Sequence, residues 1–140
     1  MSALTGGRQL VVILSAFVVF ASPIVGYAAD GDQPDTAVIT LHAKRGAEDA
    51  LARVIARHWE TVRQLKLVRE DLPHLTLRAT DGDGKTYFVE ILTWRDGSIP
   101  DAAPPAVLAI WQELHALVEG QPGHPGLDIT NVTMVDPRAQ

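Results

Sequence analysis

One short segment, residues 87–94 (YFVEILTW), constrains the fold of this chain more than any other. It is built from β-branched and aromatic residues, the types that suit an extended backbone. Tyr87, Val89, Ile91 and Thr93 fall on one face, and Phe88, Glu90, Leu92 and Trp94 on the other. Both faces are largely apolar, as in a strand covered on both sides. The segment holds one charge, Glu90. A carboxylate in such a strand requires a partner, because leaving it buried and alone is costly. The strand ends at Arg95-Asp96-Gly97 and a Pro-rich link follows. An amphipathic helix is then predicted over residues 105–119, burying Val107, Leu108, Trp111, Leu114, Leu117 and Val118.

Upstream, the same strand-then-helix arrangement appears. Residues 37–43 (AVITLHA) predict a strand, 44–46 a turn, and 47–65 a helix with Leu51, Val54, Ile55, Trp59 and Val62 on its inner stripe. Pro73 closes that connection. Residues 74–80 (HLTLRAT) alternate cleanly, and the loop 81–85 (DGDGK) supplies glycines for a hairpin. Read as a calcium loop, 81–85 fails, with Lys85 where an oxygen ligand belongs and Thr86 in place of the turn glycine. A last strand is predicted over 127–135. The order β-α-β-β-α-β with right-handed crossovers gives an α+β, ferredoxin-like domain, a four-stranded antiparallel sheet with both helices on one face. Apolar side chains on the other face predict a second copy packed against it, a homodimer.

The 140-residue chain is long enough for one domain. Arg8, the apolar run 10–20 and the small residues Gly26 and Ala28 predict an export signal over residues 1–28. A polar lead-in over 29–36 and the folded domain over 37–136 follow. The expected location is periplasmic or secreted, with membrane association only if the first segment is retained. A net charge of −5 argues against nucleic acid, which demands clustered cations. The absence of cysteine excludes disulfides, thiol nucleophiles and thiolate metal sites.

His42, Arg78 and Glu90 are polar residues inside strands. If the first and third strands pair centrally, the three are placed to converge on one face, Glu90 paired with Arg78 and His42 as base or proton shuttle. A paired polar patch in a dimer interface accounts for the same residues. Trp59, Trp94 and Trp111 are expected to point inward, as core or as walls of an aromatic-lined pocket. His58, His74, His115 and His124 show no metal-ligand spacing and are expected to be solvated or capping. No metal site is predicted.

The element order, the FVEILTW strand ending in Trp94 and the IWQEL segment of the following helix resemble the dimeric α+β barrel proteins. The chain is most similar among these to the antibiotic-biosynthesis-monooxygenase-like domain, over residues 37–135. That resemblance implies a homodimer, no cofactor, and oxygenation of a small aromatic or quinol-like ligand. With that activity, the strand residues read above give His42 or Glu90 as the catalytic base, and Arg78 and Trp94 as substrate-binding residues, Trp94 packing on the ring. Family members often carry Glu two residues before the strand's tryptophan, where this chain has Leu92, with Glu90 two residues earlier. Haem-degrading members use an early-strand Asn; the only asparagine here is Asn131, so haem cleavage is not implied. A non-catalytic binding or structural module on the same fold is the alternative.

Overall fold

A computed structural model describes residues 34–135 and Arg138. The expected export segment lies outside the described residues. The elements are β1 (Asp35–His42), α1 (Glu48–Gln64), β2 (Leu75–Thr80), β3 (Thr86–Trp94), α2 (Pro105–Leu117) and β4 (Leu127–Val132). A short 3₁₀ turn, Pro100–Ala102, stands in the Pro-rich link before α2. The sheet order is β2-β3-β1-β4 with every neighbouring pair antiparallel. This is the ferredoxin-like α+β arrangement expected from the element order.

Register fixes the two faces. Ala37, Ile39 and Leu41 lie opposite Leu92, Glu90 and Phe88, and this set points at the helices. Leu41, Leu51, Ile55, Val62, Leu92 and Val107 are among the fully buried side chains between sheet and helices. Each stabilises the fold by about 1.5–3 kcal/mol relative to an exposed side chain. Val38, Val89 and Ile91 occupy the other face, together with Leu75 and Leu77 of β2. Among the described residues no helix covers them.

Local chemistry sets the boundaries. β1 begins at Asp35, inside the stretch expected to be lead-in, because Thr36 pairs with Thr93 and their hydroxyls hydrogen-bond at 2.8 Å. In the β2–β3 hairpin the Asp81 carboxylate accepts the backbone N–H of Asp83 and of Lys85, both at 2.9 Å, and Gly84 adopts φ +76°. The acidic side chain thus serves the turn itself. After α2 the chain passes so close to itself that a Cβ on Gly126 would lie 2.9 Å from the Glu119 backbone. Only glycine fits there. One expectation is corrected on α2. Its inner stripe is Val107, Ile110 and Leu114, at i, i+3 and i+7, whereas Leu108 is 45% exposed. One position along a helix turns a side chain by about 100°, enough to take Leu108 off the stripe.

Candidate functional site

The α1 stripe is Leu51, Val54, Ile55, His58 and Val62. His58 occupies the position where the apolar pattern asks for another leucine, and it is completely buried. Trp59, expected on that stripe, is instead half-buried beside it. On β3, Glu90 points at the helices and meets His58 there: His58 Nδ1 lies 3.1 Å from Glu90 Oε2. The other carboxylate oxygen, Oε1, is 3.3 Å from Nε2 of His74, in the connection just before β2. The indole N–H of Trp111, on α2, donates to His58 Nε2 at 3.1 Å.

These contacts define protonation. An indole N–H only donates, so His58 Nε2 is bare and Nδ1 carries the hydrogen that Glu90 accepts. The carboxylate is then the charged centre of the group. Burial pushes the Glu90 carboxyl up, but the hydrogen bonds from His58 and His74 outweigh burial and hold it below the ordinary carboxylate value. His74 is locked in turn by Trp59, whose ring lies flat against the imidazole with centroids 3.7 Å apart and planes 3° from parallel.

A cavity of about 270 Å³ opens beside this cluster, between the β1–β4 side of the sheet and α2. His58, Trp94 and Trp111 form its inner wall, Ala37, Ile39 and Leu127 line it from the sheet, and Pro100, His115 and Ile129 also border it. Trp94 meets His58 and Trp111 edge-on, ring centroids 6.3 Å apart in both cases. The lining is apolar apart from the two histidines, the composition that suits a small, mainly apolar ligand. Its size is near the lower end of such pockets, about 300 Å³, which fits one or two fused rings rather than a long polycycle. Among the described residues no group of side chains is arranged to hold a metal ion.

The expected site residues separate. Trp94, expected to bind substrate, lines the cavity. Glu90 lies behind His58 and does not line it. His42 does not converge with Glu90. It stands on the opposite face of the sheet, stacked on Tyr87 at 5.4 Å, with its Nδ1 buried and no hydrogen-bond partner among the described residues. The cause is parity, since Glu90 pairs with Ile39 and His42 lies an odd offset, three positions, further along the strand. The expected Glu90–Arg78 ion pair is absent. Arg78 shares Glu90's face but pairs with Phe88, reaching over that ring at 5.7 Å and toward Asp49 at 3.4 Å. His58 and His74 take its place. Sequence reasoning set both aside as solvated, yet one signal was available: His58 falls at i+3 from Ile55 and i−4 from Val62, within the apolar stripe. His74 is expected from the sequence to open the strand over 74–80; the strand starts one residue later, at Leu75, and the alternation alone does not single out His74 as a partner of Glu90.

Comparison with solved structures places the fold. The chain is similar to SnoaB, a cofactor-independent oxygenase from Streptomyces nogalater, at 21% identity and a TM-score of 0.55, over 76% of this chain and 98% of that one. It is similar as well to Rv0793 from Mycobacterium tuberculosis, at 15% identity and a TM-score of 0.54, over 76% of this chain and all of that one. No protein-family model matches the chain, and no curated protein matches it by sequence. The fold is therefore the ferredoxin-like α+β fold that the chain shares with SnoaB and Rv0793.

Proposed function

We propose that this protein is an exported, cofactor-independent oxygenase that acts on a one- or two-ring aromatic or quinol-like substrate. The observation that carries the proposal is a buried imidazole on the cavity wall, oriented by a buried carboxylate and flanked by two tryptophans. The likeness of the fold to a cofactor-independent oxygenase supports it. The apolar run 10–20 supports export. The open sheet face, with Leu75 and Leu77 exposed, supports a homodimer as the working form.

In this scheme the substrate carries an acidic C–H between an aromatic ring and a carbonyl. Trp94 and Trp111 hold the ring, and His58 Nε2, released from the indole N–H as the substrate enters, takes the proton. Glu90 acts through His58, holding Nδ1–H and stabilising the imidazolium that forms. The carbanion passes one electron to O₂; the two radicals join to a peroxide anion, which takes a proton back from the His58 imidazolium; loss of water from the hydroperoxide leaves a carbonyl. The balance is CH₂ + O₂ → C=O + H₂O, with carbon oxidised and oxygen reduced. One observation favours the binding-module alternative: His58 Nε2 already accepts a hydrogen bond from Trp111.

Oxygen uptake with a panel of hydroquinones, naphthols and two-ring ketones decides between them, alongside quenching of the fluorescence of the cavity tryptophans. The expected result is catalysed uptake that falls about a hundredfold in His58→Gln, the usual scale for a lost general base. Quenching without uptake across the panel overturns the oxygenase reading and leaves a binding module.

A further inference from the structure

We infer that His58, Glu90 and His74 form a proton channel that connects the cavity base to bulk water without passing through the cavity mouth. The inference rests on the oxygenase reading for its purpose, but its geometry stands apart from it. His58 side-chain atoms are fully buried, and so are those of Glu90, whereas the His74 side chain is 19% exposed. The three groups touch in sequence, 3.1 Å and then 3.3 Å, through the two different oxygens of one carboxylate. A carboxylate that only had to orient His58 would not need a second titratable partner at the surface. Trp59, stacked on His74, fixes the outer imidazole and keeps its Nε2 aimed inward.

The function of such a route follows from the cavity. A ring filling an apolar pocket of about 270 Å³ excludes water from the cavity side of His58. A proton taken from the substrate at His58 Nε2 is matched by transfer of the Nδ1 proton to Glu90 Oε2. A half-turn of the carboxyl brings that proton opposite His74, whose ring must pass from the Nε2–H tautomer that donates to the resting carboxylate to the Nδ1–H tautomer; the freed Nε2 then accepts the proton while Nδ1–H passes to water. The route runs in reverse when the peroxide anion takes its proton back from His58, so one proton goes out and one returns per turnover. His74 is thus a positioning and relay residue, acting through Glu90 and His58 and not touching substrate.

The test uses the full chain carrying ¹⁵N-histidine. Solvent exchange of the His58 Nδ1–H is measured by NMR without substrate in the wild type and in His74→Gln. Glutamine keeps an N–H donor for Glu90 but cannot carry a proton. A channel predicts exchange about tenfold slower in the variant at an unchanged melting temperature. A merely structural His74 predicts unchanged exchange, or faster exchange with a lowered melting temperature, and either result overturns the proposal. As a second arm, His74→Ala leaves a partly exposed gap beside Trp59; added imidazole should restore the fast exchange, and failure to do so also counts against the channel. With an oxidisable substrate, kcat should fall about tenfold in His74→Gln with KM held within about twofold, the loss being in proton transfer and not in binding. If the wild type oxidises nothing, the oxygenase reading fails, and the exchange experiment still judges the channel.

Discussion

At the scale of single residues, Glu90 carries the most information. It is a fully buried carboxylate that accepts from two imidazoles, so its charge is held by hydrogen bonds rather than by a permanent cation. Glu90→Gln removes the charge while keeping the shape. Hydrogen bonds to charged groups contribute about 1.5–3 kcal/mol, so urea denaturation at neutral pH should show a loss in that range. The pH dependence has a definite sign. The folded Glu90 carboxyl sits below its ordinary value of 4.5, so the unfolded chain binds the proton more readily. The stabilisation is full above 4.5 and is lost as pH falls through the lower folded value. Several carboxylates outside the core, Glu48 and Asp81 among them, are also lowered and share the acid limb. The wild-type-minus-Gln difference isolates Glu90: the gap in stability should shrink as pH drops below 4.5, and a gap constant down to acid unfolding would refute the assignment.

At the scale of elements, α1 and β3 each interrupt an apolar pattern with one polar side chain, and the two interruptions face each other. Removing either one leaves the other buried with a broken partnership; replacing both with leucine restores two ordinary stripes. His58→Leu and Glu90→Leu should each cost about 3–5 kcal/mol, and the double variant should recover most of that loss, since apolar replacement of a buried ionic pair is often neutral or stabilising. Thermal melting of the four proteins closes the cycle; additive losses would mean that the pair is not a unit. The same two elements show what was legible in advance. Strand and helix placement, order and the inner stripe of α1 follow from periodicities of 2 and 3.6, which act locally. That Glu90 needs a partner also follows, from the cost of an isolated buried charge. Which partner it takes does not, because that depends on the crossing of α1 over β3 and on a connecting segment with no period. Arg78 is on the same sheet face but displaced along the strand, and His42 is on the wrong face by one step of the pleat. Charge complementarity favoured Arg78; distance selected His58 and His74.

At the scale of the whole molecule, the sheet has one face packed by helices and one without them, and the bare face is not polar. Leu75 is 47% and Leu77 51% exposed, beside the half-buried Val89 and Ile91 of the neighbouring strand. These leucines pair across from Ile91 and Val89, so they form one continuous patch rather than scattered exposures. A monomer that left this surface in water would carry an association site in any case, and the proposed homodimer would cover it with the same residues of a second copy under two-fold symmetry. The carboxylate cluster and the cavity lie on the other side of the sheet, so disrupting the patch tests assembly without touching the site. Leu77→Lys places a charge at the centre of the patch with no core atom disturbed. Sedimentation at micromolar concentration should give twice the chain mass for the wild type and the single-chain mass for Leu77→Lys, with His58 and Trp111 signals unchanged in both. A wild type that sediments as a single chain at every concentration refutes the homodimer. A variant that stays dimeric moves the interface away from this face, and the exposed leucines would then call for a different occupant.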